Sequence, residues 1–299
     1  MNIERELGQK LKNGVKKNEP MAKHTSWQVG GPADYFLCPA DLKELVEIVR
    51  YSDKYGLPLY VLGNGTNLLV LDGGIRGLVV NIGPAFCYVN REGSVIKAGA
   101  GTPMTYLARS AAEQGLVGLE FAAGIPGSLG GAVIMNAGAF GGHLGDKVLS
   151  VKLVSPAAEV ITVERDNLLF GYRTSNLPGK GVLVEAALEL KQGDEAESLK
   201  LVEYFLSERR RRHPDLPSAG SVFRNMPDQP AGRIIEEIGC KGMRIGGAEV
   251  SCKHANFIVN TGNATAADIR SLIEAVRQKV REVYNLELQP EVKIIGEES

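Results

Sequence analysis

Residues 118–142, GLEFAAGIPGSLGGAVIMNAGAFGG, constrain this chain more than any other stretch. They hold eight glycines and a single charge, Glu120. Such a segment is too glycine-rich for an ordinary helix or strand and too apolar for a solvated linker. Glycine admits positive φ and lets a backbone approach a ligand to contact distance. N–H groups in small-residue loops can therefore wrap a phosphate without cationic side chains. An isolated cluster of this kind is most often a set of tight buried turns. Here a second one, Gly63-Asn64-Gly65-Thr66-Asn67, lies upstream, and the pair suggests a long ligand containing a diphosphate.

The remaining composition narrows the setting. A chain of 299 residues accommodates two domains and a sizeable core, and 44% hydrophobic with 23% charged residues is ordinary for a globular protein. A net charge of −1 gives no field for nucleic acid or anionic membrane. No apolar signal core opens the sequence and no uncharged run reaches membrane-spanning length, so a cytoplasmic protein is expected. Cys38, Cys87, Cys240 and Cys252 form no CxxC, and with four scattered histidines they lack zinc-ligand spacing. Reduced, buried thiols and no metal site are expected.

Periodicity supplies the elements. Ile3, Leu7, Leu11 and Val15 suggest a short surface helix; Asp41–Tyr55 reads as a helix stopped by Gly56. LPLYVLG reads as a buried strand entering the Asn64 loop, followed by two strands around Asp72-Gly73-Gly74. Thr102–Gln114 reads as a helix with Thr102 as N-cap and Pro103 at its first position. Residues 147–190 are mostly strand, broken by the loop GYRTSN, and 199–212 is a helix ending in four arginines. Beyond His213 come a short strand SVFRN, a helix AGRIIEEIG, a strand NFIVNTG, and a long amphipathic helix over 264–284. That helix has Ile269, Leu272, Ile273, Val276, Val280 and Val283 on one stripe, and an edge strand around Pro290 closes the chain.

The dinucleotide fingerprint G-x-G-x-x-G, the P-loop and the G-x-S-x-G elbow are all absent. Instead GNGTNLLV, AGIPGSLGGAVIMNAGAFG, GYRTSN, SAGSVFRN and QPEV, in this order, resemble the UDP-N-acetylenolpyruvoylglucosamine reductases of bacterial peptidoglycan synthesis. The resemblance runs from about His24 to Gly296, and SAGSVFRN is its most diagnostic motif.

The resemblance implies an α+β protein with the FAD-binding fold of vanillyl-alcohol oxidase type plus a smaller substrate-binding domain. It places a first FAD-binding subdomain at 1–90, joined by the strand at 286–299, a second at 91–197, and substrate binding at 198–285. FAD is implied to be held without a covalent bond by Gly63, Asn64, Gly65, Thr66, Asn67 and Leu68 with Gly124, Ile125, Pro126, Gly127 and Ser128. Gly131, Ala132 and Asn136 continue that cradle. The implied reaction takes hydride from NADPH through the flavin to the enolpyruvyl ether of UDP-N-acetylglucosamine, with a proton added at the neighbouring carbon.

By the same resemblance, Arg173 binds the enolpyruvyl carboxylate and favours the enolate, a task suited to its planar fork. Glu291 sits opposite it, and Ser221 donates the proton. Tyr172, Arg212 and Asn225 contact substrate, with Arg209, Arg210 and Arg211 as alternatives to Arg212 at the diphosphate. The tight link between the Leu190 strand and the Leu199 helix fits the family's shorter type, which lacks a covering tyrosine loop. No nucleic acid, membrane or obligate protein partner is implied. Two competing readings are an alcohol oxidase of the same fold and an inert flavin- or nucleotide-sugar-binding regulator. The first lacks a histidine or cysteine in an attachment context, with only His24 and His143 upstream, and the second would be expected to lack one of Arg173, Ser221 and Glu291.

Overall fold

The structure is a computed structural model describing residues 3–298. The chain forms two compact units. One comprises 1–17, 35–64 and 77–209; the other comprises 18–34, 65–76 and 210–299.

The first unit is built on a five-stranded antiparallel sheet. Its strands lie in the order Val160–Glu164, Val148–Val154, Val182–Glu189, Val95–Gly99, Val89–Glu92. Val151, Leu153, Val184, Ala186, Leu188, Ile96 and Ala98 alternate into the core, as a sheet with one covered face requires. The helix Leu42–Tyr55 follows the sequence closely: Asp41 caps it by accepting from Glu44 N–H, and Gly56 ends it at φ +62°. Leu45, Ile48 and Val49 of that helix are buried with Ile3, Leu7 and Leu11.

Four local expectations change here. The N-terminal helix covers only Ile3–Glu6, and Val15 begins a strand, Val15–Pro20. The strand Leu59–Leu62 is half-exposed because it lies at the edge of its sheet, paired in parallel with Ile75–Asn81 on one side only. Pro103, not Thr102, precedes the helix Met104–Glu113 as its cap residue. The Thr102 hydroxyl instead donates to Tyr88 O at 3.1 Å, and a hydroxyl so engaged serves no helix end. Inside the glycine stretch a short helix, Leu129–Ile134, does form. Leu129 N–H donates to Thr102 O and Gly130 N–H to Ala100 O, so the backbone is held from outside where local propensity is poor.

The second unit packs the helix Ala266–Tyr284 on the antiparallel strands Arg244–Ile245, Ala248–Val250 and Ile258–Asn260. Ile269, Leu272, Ile273, Val276 and Val280 are buried there with Trp27 and Phe223, while Val283 is exposed because the stripe outruns the surface it packs on. Thr265 and Asp268 form a capping box, and both Asp72 carboxylate oxygens accept at 2.9 Å from Ala266 and Ala267 N–H. The final strand, Lys293–Ile295, pairs in parallel with Leu68–Val70. Of the four cysteines only Cys240 is buried, and all are free thiols; Cys87 and Cys252 are exposed, correcting the expectation of buried sulfurs. No helix among the described residues is long and apolar enough to cross a membrane.

Candidate active site

The expected site residues form one group in each unit. In the first unit the two glycine loops meet: a Cβ placed on Gly63 would lie 2.3 Å from Ser128 Oγ. The second loop is fixed to the helix that precedes it in sequence by Met104 N–H donating to Gly127 O at 3.0 Å. The N–H groups of Asn64, Gly127 and Ser128 make no hydrogen bond among the described residues. Ser128 is buried, and a buried unpaired amide is costly unless something accepts from it. A phosphate oxygen is such an acceptor, so the loop fits the diphosphate of FAD. In the second unit the continuation Gly65-Thr66 also leaves its N–H groups without a described acceptor. Gly65 adopts φ +60°, and a Cβ there would stand 2.1 Å from His24 O. Only glycine fits at that point.

The single charge of the glycine stretch is structural. Glu120 is buried and accepts from Gly118 N–H at 2.8 Å and from the Ser198 hydroxyl at 2.7 Å. Asn136 is a tie: its Oδ1 accepts from Gly145 N–H at 2.8 Å and its Nδ2 donates to Gly171 O at 2.9 Å. That bond anchors the hairpin Phe170–Gly171 with Thr174–Ser175, whose Ser175 hydroxyl donates to Ile134 O. Arg173 sits at the hairpin's tip with φ +54°, a strained backbone for a residue with a long side chain. Its guanidinium lies 5.1 Å from the centre of the exposed Tyr172 ring and donates through Nη2 to Gly138 O at 3.0 Å. Thus the hairpin, the glycine stretch and Arg173 form one hydrogen-bonded assembly. Ala132 is buried and Gly131 exposed beside Ser128.

In the second unit Ser221 and Glu291 are brought together by backbone pairing. Glu291 N–H donates to Val222 O at 2.7 Å, Arg224 N–H donates to Gln289 O at 2.9 Å, and Phe223 bridges Pro290. SVFRN is therefore extended, as expected, although only its centre pairs as strand. Asn67 joins the same assembly: its Nδ2 donates to Glu291 O at 3.3 Å, and Lys293 N–H donates to Asn67 O. Both Ser221 and Glu291 are half-buried. The Asn225 side chain accepts from Ala231 N–H at the start of the helix Ala231–Glu237, and Arg212 is exposed at the end of the helix Glu195–Arg212.

Sequence reasoning missed Asn256. This buried side chain accepts from Phe223 N–H at 2.9 Å and donates to Phe223 O at 2.8 Å, while its own carbonyl accepts from Val222 N–H. A side-chain amide here completes the pairing of the extended segment on the edge opposite Glu291. The signal available was an asparagine beside an apolar run, NFIVN, where a buried polar group demands a partner.

The chain is similar to known proteins along most of its length. The family model described as "FAD binding domain" matches residues 33–164, and that of the UDP-N-acetylenolpyruvoylglucosamine reductase C-terminal domain matches 212–295. The UDP-N-acetylenolpyruvoylglucosamine reductase of Desulforamulus reducens is 44% identical over 98% of this chain and 97% of its own length. That of Moorella thermoacetica is 46% identical with the same coverage of both chains. The crystal structure of the enzyme from Thermus caldophilus superposes with a TM-score of 0.82 at 36% identity, over 94% of this chain and 98% of that one. Of the expected fold class, an FAD-binding domain followed by the family's C-terminal domain, both of mixed α and β structure, is what these matches show. The chain belongs to the UDP-N-acetylenolpyruvoylglucosamine reductase family.

Proposed function

We propose that this protein reduces the enolpyruvyl ether of UDP-N-acetylglucosamine-enolpyruvate to the lactyl ether, with FAD as non-covalent cofactor and NADPH as reductant. The product is UDP-N-acetylmuramate for cell-wall synthesis. The observation that carries the reading is the pairing of glycine loops with uncommitted amides and an arginine hairpin tied to the same stretch. Kinship over nearly the whole chain supports it.

Bound FAD supplies hydride transfer from NADPH to the vinyl terminus. The chain's own residues do the rest. Gly63, Asn64, Gly65, Thr66, Asn67 and Leu68 with residues 124–128 hold the cofactor diphosphate through amide dipoles, continued by Gly131, Ala132 and Asn136. Arg173 clamps the substrate carboxylate and stabilises negative charge as it spreads from the adjacent carbon. Ser221 delivers a proton to that carbon, and Glu291 polarises the carboxylate from the other side. Tyr172, Arg212 and Asn225 meet the nucleotide sugar. Residues 1–90 with 286–299, and 91–197, serve FAD, while 198–285 serve substrate. Only Gly193 and Asp194 separate the strand Lys191–Gln192 from the helix Glu195–Arg212, which supports the shorter type without a tyrosine lid. A cytoplasmic site of action, with no obligate protein partner, completes the reading.

One spectral titration tests it. Purified protein should be yellow, release all colour on acid precipitation, and bleach with NADPH. The enolpyruvyl sugar should restore the colour rapidly and oxygen slowly. Rapid restoration by oxygen alone would indicate an oxidase, and a protein that never bleaches would be a binding module.

A further inference from the structure

Of the four arginines at the end of the helix Glu195–Arg212, one differs from the rest. Arg209 is half-buried, whereas Arg210, Arg211 and Arg212 are exposed. It is packed on the second glycine loop: a Cβ on Gly124 would lie 3.6 Å from Arg209 Cδ, 3.5 Å from Phe140 Cε2 and 3.7 Å from Phe205 O. Phe140 and Phe205 stack with ring centres 4.5 Å apart, so an apolar wall flanks the arginine. On the same helix Glu203 is already committed to an ion pair with Arg109. Among the described residues no carboxylate or carbonyl accepts from the Arg209 guanidinium. Burial pushes its pKa down, and no neighbouring charge offsets that.

A desolvated cation without a partner costs free energy in the folded chain. Its place in the last turn of a helix offsets part of that cost, but the exposed Arg210, Arg211 and Arg212 gain the same benefit while remaining solvated. An anion at the Gly124 end of the loop would resolve the imbalance. We propose that Arg209 is a cationic ligand of the cofactor's diphosphate, adding one charge-assisted bond to a cradle otherwise made of amides. This rests on the FAD reading above. It also assigns separate tasks along the arginine run, leaving Arg212 for the substrate.

The test uses deflavinated protein titrated with FAD, followed by quenching of flavin fluorescence, beside wild type. Arg209→Ala should weaken FAD binding about 10- to 100-fold, as loss of one bond to a charged group does, and should flatten the salt dependence of affinity. Arg209→Met keeps the apolar stem against Gly124 and Phe140, so it separates packing from charge. It should bind FAD as weakly as Arg209→Ala, while Arg209→Lys recovers part of the affinity. If Arg209→Met binds FAD like wild type, the arginine is only a packing residue and the proposal is wrong. Wild-type FAD affinity in Arg209→Ala with a raised KM for the enolpyruvyl sugar would give the arginine to the substrate and equally overturn it. Failure of wild type itself to take up FAD would refute the FAD reading, and this proposal with it.

Discussion

Ser221 stands between Gly220, at φ +76°, and Val222, whose carbonyl and N–H are both held. Its backbone is therefore anchored at Val222, and truncating its hydroxyl should leave the segment in place. Ser221→Ala should bind FAD normally and bleach with NADPH at near wild-type rate. Colour recovery with the enolpyruvyl sugar should slow by the ~10²–10⁴-fold typical of losing a general acid. Ser221→Cys should recover part of that rate, because a thiol is the stronger acid. Recovery at wild-type speed in Ser221→Ala would make the serine a structural residue, with Glu291 the next donor to test. A second residue-scale test falls on Gly65. Gly65→Ala places a methyl 2.1 Å from His24 O at a positive φ, so the loop must move. Purified Gly65→Ala should carry little or no flavin, and full yellow colour would show that the loop backbone does not approach the cofactor.

At the scale of elements, the Ser221 segment is held as one strand between two unlike partners. Residues 289–291 supply backbone on one edge and the Asn256 side chain supplies an amide on the other. Removing that amide leaves a buried N–H and a buried C=O of Phe223 unpaired, each worth about 1–3 kcal/mol. Asn256→Ala should therefore lower Tm by several degrees and slow the substrate half of the reaction while leaving reduction by NADPH intact. Equal loss in both halves would show general unfolding instead. Much of the helix pattern was readable in advance, since the 3.6-residue period is local: the stop at Gly56 and the Ile269–Val280 stripe behave as read, whereas the Thr102 cap does not. What could not be read was pairing between distant segments. Nothing near Asn256 in sequence points to Phe223, nothing near Asp72 points to Ala266, and the exposed edge of Leu59–Leu62 depends on which neighbour it lacks. The glycine loops were legible because glycine's backbone freedom is intrinsic to the residue. The one half-buried arginine among four was not, since burial is a property of the folded unit.

For the molecule as a whole, the sharpest pH dependence should come from His254. Its Nδ1 lies 3.2 Å from Asn256 N and accepts that N–H, so this nitrogen carries no proton in the folded protein. Its ring packs 4.8 Å from Phe257 and 5.7 Å from His213. Burial lowers its pKa below the ordinary 6.5, an effect that Lys241 increases and Glu236 opposes. A base whose pKa is lower folded than unfolded binds fewer protons in the native state. Stability is then full above the unfolded value and falls as pH drops from about 6.5 toward the depressed folded value. Protonation also removes the acceptor that orients Asn256, and through it the clamp on Phe223. Thermal melts from pH 8 to pH 5 should therefore show Tm level above pH 7 and declining below about 6.5. His254→Asn offers an amide oxygen in place of Nδ1 and cannot titrate, so its Tm should be flatter over the same window. Asp268, held below the usual carboxylate range chiefly by Thr265 N–H, gives a separate loss confined to pH below about 4. That lower step should survive in His254→Asn. A variant that keeps the wild-type slope between pH 6.5 and pH 5 would place the titrating group elsewhere and remove His254 from the account.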